Sequence, residues 1–289
     1  MLVSALNIVI NGLLLGGLYA LVAMGLNLQY GVARVLNIAH GEFIMLGAFI
    51  TWAMYTKFGI NPLLSIVIVG PIVFIIGFII QRTLFTSLRT SAPSQPAFEG
   101  SSMLASFGLL FIIQNVALII WGGDMRAYSY YNFGINLGGA VFAANRLIAL
   151  IFAVVIGIAF YIFLVRTRIG KAIRAAAEDP TTAGIMGVNI NLVLALCFGL
   201  GAVMAGLAGV FLSMCFPIYP VMGLEYLIIT LIVVVLGGLG SIPGSFIGGF
   251  ILGLIGSAVS SWQPSLALAA YYFIFMLLLI IRPKGILGK

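Results

Sequence analysis

Charge is what this sequence has least of. Only 7% of its 289 residues are Asp, Glu, Lys or Arg, where a soluble domain carries about 25%. Some 63% of the chain is hydrophobic. No soluble fold of this length could hide that much apolar surface, so lipid must be the solvent for most of it. The apolar runs are continuous, without the alternating polarity of barrel strands. They predict an all-α integral membrane protein, a polytopic bundle of about 8–9 transmembrane helices.

Other scarcities narrow the chemistry. There is one histidine, His40, with no second His or suitable Cys nearby, so a metal site has no ligand set. The two cysteines, Cys197 and Cys215, would sit roughly 27 Å apart on one helix at ~1.5 Å per residue, too far for a disulfide. They read as packing residues. No GxxxxGK[ST] phosphate loop occurs, so the chain is not itself a P-loop ATPase. An intramembrane enzyme would need a Ser/Lys, paired-Asp or His-Glu-x-x-His constellation, for which one His and two distantly placed, loop-adjacent acids, Glu42 and Glu225, give poor support. An ion-coupled carrier or channel expects charges at mid-span, and almost none are found there. The net charge of +7 comes without a basic patch interleaved with aromatics. It argues against nucleic acid and marks cytoplasmic loops. No basic residue precedes the first apolar run and no small-x-small site follows it, so that run is expected to be a retained helix.

Glycine, by contrast, is abundant: 36 residues, against a usual ~7%. Membrane helices use it for close approach. The first expected span, Leu6–Leu28, carries Gly12-x-x-x-Gly16, read as plain helix packing. Asn7, Asn11, Asn27 and Gln29 recur along it, either lining a polar path or bonding across helices. Tyr30–Gly41 interrupts the pattern with Arg34, Asn37 and His40. A second helix begins near Gly41 and runs to about Tyr55, with Glu42 in its first turn. Spans follow at Leu63–Ile80, Ser102–Trp121, Leu147–Val165, Ile190–Phe211 and Leu224–Leu236. Pro93 and Pro96 are expected to prevent regular helix in the polar stretch after Arg82. Gly122–Asn145 is a long loop. Gly237, Gly238 and Gly240 form a bend, which lets backbone approach a solute or simply turns the chain; the turn is the favoured reading. Ser245–Val259 crosses fully or is re-entrant, and Leu266–Ile281 closes the set.

The polar segment between the fifth and sixth spans, RTRIGKAIRAAAEDPTTAGIMGVN at 166–189, organises the chain. It holds four of the 13 basic and two of the six acidic residues. Lys171, Arg174 and Glu178 share one helical face. The alanines, Ala175 among them, form helix with little bulk. Asp179-Pro180 restarts a helix as N-cap and first residue, and Gly187 ends it. Two short helices meeting at a bend, shallow and charged, suit a docking element better than a plain connector.

Gly170-Lys171-Ala172-Ile173-Arg174-Ala175-Ala176-Ala177-Glu178-Asp179, followed by Ala183 and Gly187-Val188, resembles the coupling motif of ABC importer permeases. More narrowly, the chain resembles the bacterial branched-chain amino acid permeases, which pair as two related membrane subunits. Asn11-Gly12, Leu18-Tyr19-Ala20-Leu21, Leu36-Asn37-Ile38-Ala39-His40-Gly41-Glu42, Val235-Leu236-Gly237-Gly238-x-Gly240-Ser241 and Arg282-Pro283-Lys284-Gly285 extend the likeness over nearly the whole chain. The compact length and the early NIAHGE segment look like the H-type subunit. The resemblance implies a single permease domain over 1–289 with a coupling loop at 166–189, in the bacterial inner membrane. It implies a second, related permease as partner (a heterodimer rather than a homodimer), two cytoplasmic ATPases that bind ATP and Mg, and a periplasmic solute-binding protein. No cofactor is expected on this chain. The loop reports the engine and not the cargo, so urea, short amides or a sugar stand as alternatives to leucine, isoleucine and valine.

Lysine and arginine set the expected orientation. Nine crossings place ten basic residues on the loop side and leave Lys57, Arg126 and Arg146 opposite, with the N-terminus outside and the C-terminus in the cytoplasm. Glu42 and Glu225 each open a helix leading into Gly-rich sequence, on opposite sides by this topology. That fits a weak inverted repeat. Both acids read equally as helix-end residues or as parts of a path.

Overall fold

The computed structural model describes residues 2–137, 139–282 and 284–288. Pro283 and Lys289, counted above with the tail, lie outside them. The chain is helical almost throughout. α1 (Leu2–Ala33), α2 (His40–Phe58), α3 (Ile66–Ile80) and α4 (Thr86–Ser91) are followed by α5 (Gln95–Trp121) and a small hairpin of β1 (Gly134–Leu137) and β2 (Ala140–Ala143). Then come α6 (Ala144–Arg166), α7 (Arg168–Glu178), α8 (Pro180–Ile185), α9 (Ile190–Cys215), α10 (Met222–Gly237), α11 (Ile242–Trp262) and α12 (Ala267–Ile281). Seven helical stretches are long and apolar enough to cross a membrane: α1, α3 with α4, α5, α6, α9, α11, and α12 with the 3₁₀ turn before it. The 19-residue α2 and the shorter α10 complete the bundle.

Several boundaries differ from the sequence reading. α1 runs on to Ala33 because Asn27 and Gln29 find partners on neighbouring elements instead of water. The polar stretch after Arg82 is helical, not broken. α3 passes through a π-turn, Gln81–Phe85, into α4. Only residues 92–94 interrupt, since Pro96 falls in the first turn of α5, where it is tolerated, behind Ser94 as N-cap. The 122–145 loop carries the antiparallel hairpin, Gly134 opposite Ala143. α11 is a full-length helix of 21 residues lying along α1, from Ser257 on the Ile8 carbonyl to Ser245 against Asn27. That extent leaves no room for a re-entrant turn.

Glycine spacing sets how closely the helices pack. α1 and α11 run antiparallel: Gly12 rests on Gly253 and Leu254, Gly16 on Phe250, and Gly249 on Ala20. α9 is the most enclosed helix and α12 the most exposed of the crossing set. α9 lies antiparallel to α1, with Gly25 and Gly201 backbone to backbone, and to α3, with Gly77 over Ala202 and Phe198 and Gly206 over Val73. Phe43, Phe49, Phe85, Phe198 and Phe211 fill the centre.

The connectivity α1–α2–α3 recurs as α9–α10–α11. α1 packs on α11 as α9 packs on α3, and α2 packs on α9 as α10 packs on α1. α1 also meets α9, and α2 meets α10. That is the pairing an inverted repeat requires. The openings of α2 and α10 do not lie on opposite sides, however. Gly41 abuts the Gly223 carbonyl. The connector at 34–39 turns back into the bundle, with Val35, Asn37 and Ala39 buried, so α2 starts deep inside.

Candidate coupling elbow and polar sites

α6 ends because Thr167 is extended, with φ −86° and ψ 158°. The same residue caps α7: its Oγ1 accepts the Gly170 N–H at 3.0 Å. Gly170 lets α7 fold back beneath α6, since a Cβ there would lie 2.3 Å from the Leu164 carbonyl oxygen. Gly170, Ile173 and Ala176 are buried at a three-residue spacing, which seats the helix against α1, α6 and α9. Lys171, Arg174, Ala175 and Glu178 face outward. The expected knob of alanines is therefore narrower than read. Ala176 turns inward and Ala172 and Ala177 are half-buried, so Ala175 alone of the four is exposed. Arg174 Nη2 donates to the Val165 carbonyl at 3.2 Å, strutting α7 against the end of α6.

Asp179 breaks the chain with φ −147° and caps α8. Its Oδ1 accepts the Thr181 and Thr182 N–H groups at 2.9 and 3.2 Å, and Oδ2 accepts the Thr182 hydroxyl. Those bonds, the Thr182 hydroxyl foremost, hold the Asp179 carboxyl below the usual carboxylate range. Gly187 closes α8 at φ +88°. Its N–H reaches the Gly184 carbonyl and the Val188 N–H the Ala183 carbonyl, both at 3.0 Å, a Schellman closure. Ala183 is buried beneath the turn. Ile185 and Met186 stand 82% and 81% exposed at the tip. Sequence reasoning missed this pair; two large apolar residues in a polar loop were the available signal.

The elbow shares one end of the bundle with Arg34, Arg82, Arg89 and the tail. Arg89 Nη2 donates to the Ala33 carbonyl at 3.0 Å, and Ile286 and Leu287 hydrogen-bond to the Leu236 and Gly237 carbonyls. Gly237, Gly238 and Gly240 form a bend here, as favoured, with φ +103° at Gly238 and +83° at Gly240. Asn27 holds it. Its Nδ2 donates to Gly238 O, Ser241 O and Ser245 Oγ at 3.0, 2.9 and 2.6 Å, and its Oδ1 accepts the Gly240 N–H at 2.5 Å.

The remaining polar candidates do not form one path. Asn37 Oδ1 accepts the Ala39 N–H, and Nδ2 donates to Gln29 Oε1 at 3.3 Å. His40 Nε2 lies 3.1 Å from the Val22 carbonyl. Ser106 on α5 bonds the Ile38 N–H and the Leu36 carbonyl, which satisfies non-helical backbone at depth. Glu42 is fully buried with no hydrogen-bond partner on either oxygen among the described residues. Glu225 is its counterpart in sequence only. It is exposed and accepts the Tyr219 hydroxyl at 2.6 Å. Asn11 sits at the far end, where Arg146 Nη1 donates to its Oδ1 at 3.0 Å. No group of His, Cys, Asp and Glu among the described residues could hold a metal.

A family model described as branched-chain amino acid transport system, permease component, matches residues 8–282. The chain is 30% identical to the high-affinity branched-chain amino acid transport system permease protein BraD of Pseudomonas aeruginosa, across 97% of this chain and 94% of that one. It is 32% identical to the corresponding protein LivH of Escherichia coli, across 96% and 94%. A probable branched-chain amino acid transport permease protein LivH of Methanocaldococcus jannaschii is 26% identical across 96% and 91%.

Proposed function

This chain belongs to the branched-chain amino acid transport permease components, and we propose that it works as the membrane subunit of an ATP-driven importer. It is a multi-pass permease for branched-chain amino acids, and its own part is mechanical and selective. The 166–189 elbow seats in a cytoplasmic ATPase. ATP and Mg belong to two such partners, and a second, related permease completes the pore. A solute-binding protein delivers the amino acid on the other side.

The observation that carries this is the elbow itself. Both short helices are capped by side chains, α7 is seated against three bundle helices, and an apolar pair projects from the tip. A plain connector needs none of these. The basic residues support the sidedness. Arg34, Arg82, Arg89, Arg166, Arg168, Lys171, Arg174 and Lys284 gather at the elbow's end, while Lys57, Arg126 and Arg146 lie at the other. By the positive-inside rule the elbow and tail are cytoplasmic and the start of α1 is outside. The path candidates divide by position. Asn11 belongs to the outer mouth, Asn37, His40 and Glu42 to the central joint, and Gly237, Gly238 and Gly240 to the cytoplasmic bend.

Uptake of labelled leucine into vesicles containing the complete transporter tests the assignment. Replacing Glu178, or Ala175→Trp, is expected to abolish ATP-driven uptake while the permease still inserts. Normal uptake by both variants would defeat the coupling role of the elbow.

A further inference from the structure

The outer end of the bundle holds a cavity of about 380 Å³, within the range of ligand pockets, about 300–1,000 Å³. The coupling reading gives it no role. Its wall is assembled from the start of α1, the loop around Tyr128, the start of α6 and the end of α9. Among the described residues one cation, Arg146, lines it, and no carboxylate does. Arg146 is half-buried. Its hydrogen bond goes to the neutral Asn11 amide, and its guanidinium carbon lies 5.8 Å from the Phe216 ring centre. A guanidinium within cation–π reach of a ring and held by one amide keeps other donors for a carboxylate.

The second observation is Asn145. It is 6% exposed and lines the same cavity. Its Nδ2 donates to the Met214 carbonyl at 2.7 Å. Its Oδ1 is buried without a hydrogen-bond partner among the described residues. Buried acceptors are rarely left so, and this one calls for a donor from outside the chain. Tyr128, hydrogen-bonded to Ser213 at 2.9 Å, closes the wall; burial pushes its phenol up, which keeps it neutral. The site thus offers one positive group, one unpartnered acceptor within its wall, and apolar surface from Met214 and Phe216.

We propose that this cavity receives the zwitterionic head of an aliphatic amino acid on the outer side of the membrane. Arg146 holds the α-carboxylate, Asn145 Oδ1 accepts from the α-ammonium, and Met214 and Phe216 flank the side chain. The assignment rests on the import reading above.

The test uses the whole transporter purified with its partners, with the solute-binding protein omitted. Binding of radiolabelled L-leucine is followed by scintillation proximity. The competitors are leucine, leucinamide (no carboxylate) and 4-methylpentanoate (no ammonium). Leucine is expected to compete at least tenfold better than leucinamide. Arg146→Gln should weaken leucine binding tenfold or more and Arg146→Lys by less, while Asn145→Leu should erase the preference for leucine over 4-methylpentanoate. If Arg146→Gln does not assemble, Arg146→Lys carries the comparison. Absence of saturable binding to the unaltered transporter, equal competition by leucinamide, or binding indifferent to both Arg146 variants overturns the proposal. ATP-driven uptake with the binding protein restored separates the two readings. Import without Arg146-dependent binding removes only the outer site. ATP hydrolysis with no import of any branched-chain amino acid removes the import reading itself.

Discussion

Gly41 lies directly on the carbonyl of Gly223: a methyl group on Gly41 would come 2.0 Å from that oxygen. The N-termini of α2 and α10 meet at this contact, and the buried Glu42 carboxyl group lies against Gly223. Two helix starts thus converge on one carboxyl group.

That contact predicts a steric effect. Gly41→Ala should destabilise the detergent-solubilised permease by about 1–3 kcal/mol, the range of overpacked cores. Gly108→Ala is the control, because a Cβ there meets nothing within 4 Å and alanine favours helix by about 1 kcal/mol. Thermal unfolding should rank the two on opposite sides of the unaltered protein. Equal midpoints for Gly41→Ala and the parent would mean the helix starts are not in contact.

Asn27 predicts a link between the glycine bend and the tail. Asn27→Asp keeps an acceptor for the Gly240 N–H but withdraws the donors from Gly238, Ser241 and Ser245, and sets a carboxylate against two carbonyls. Each buried partner left unsatisfied costs about 1–3 kcal/mol. The tail rests on the same bend through Ile286 and Leu287, so it should loosen. Trypsin cleavage after Lys284 reads this out. Cleavage at the parent rate would show the tail is held independently of Asn27.

The acid response of the elbow follows from Asp179. Its folded carboxyl lies below the ordinary value, about 3.9 in an unfolded chain. A lowered folded value means the cap's contribution is present above that unfolded value and is lost as pH falls through the folded one. α8 should therefore be equally protected throughout the neutral range and open only in strong acid. Asp179→Ala should open it at every pH. Hydrogen exchange at Thr181 and Thr182, corrected for the intrinsic rate, checks both. Opening near pH 6 would contradict the capping geometry.

Local signals carried much of this fold, and long-range pairing carried the rest. Asp179, Pro180 and Gly187 placed the short helices because caps and left-handed closures are chemistry within a few residues. Gly12-x-x-x-Gly16 was visible as a packing face, but nothing local said that it faces Gly249 and Gly253 across α1 and α11. Asn27 was ambiguous for the same reason: its partners lie more than 200 residues away. Glu42 and Glu225 open similar helices in sequence, yet one is fully buried and the other exposed. The difference arises because the connector at 34–39 folds inward, which its composition alone does not dictate. Arg146 looked like an ordinary loop cation until Asn11, Asn145 and Phe216 were brought around it.

Ile185 and Met186 lead to the prediction that bears most directly on mechanism. They are large, apolar and more than four-fifths exposed, the most exposed apolar side chains of a loop in which Ile169 is 46% exposed. Water is an unfavourable neighbour for such side chains, at about 25 cal/mol per Å², so a partner that covers them gains affinity. The double change Ile185→Ser, Met186→Ser should leave the elbow folded, since α8 is closed by backbone bonds of Gly187 and Val188 and capped by Asp179. It should still weaken capture of the ATPase tenfold or more, about 1.4 kcal/mol, with uptake falling in proportion. Co-purification of the ATPase with the variant permease measures the first effect and vesicle uptake the second. If the ATPase is retained in full while uptake is lost, the pair transmits motion without contributing to docking. If both are unchanged, the tip of the elbow is not where the ATPase binds.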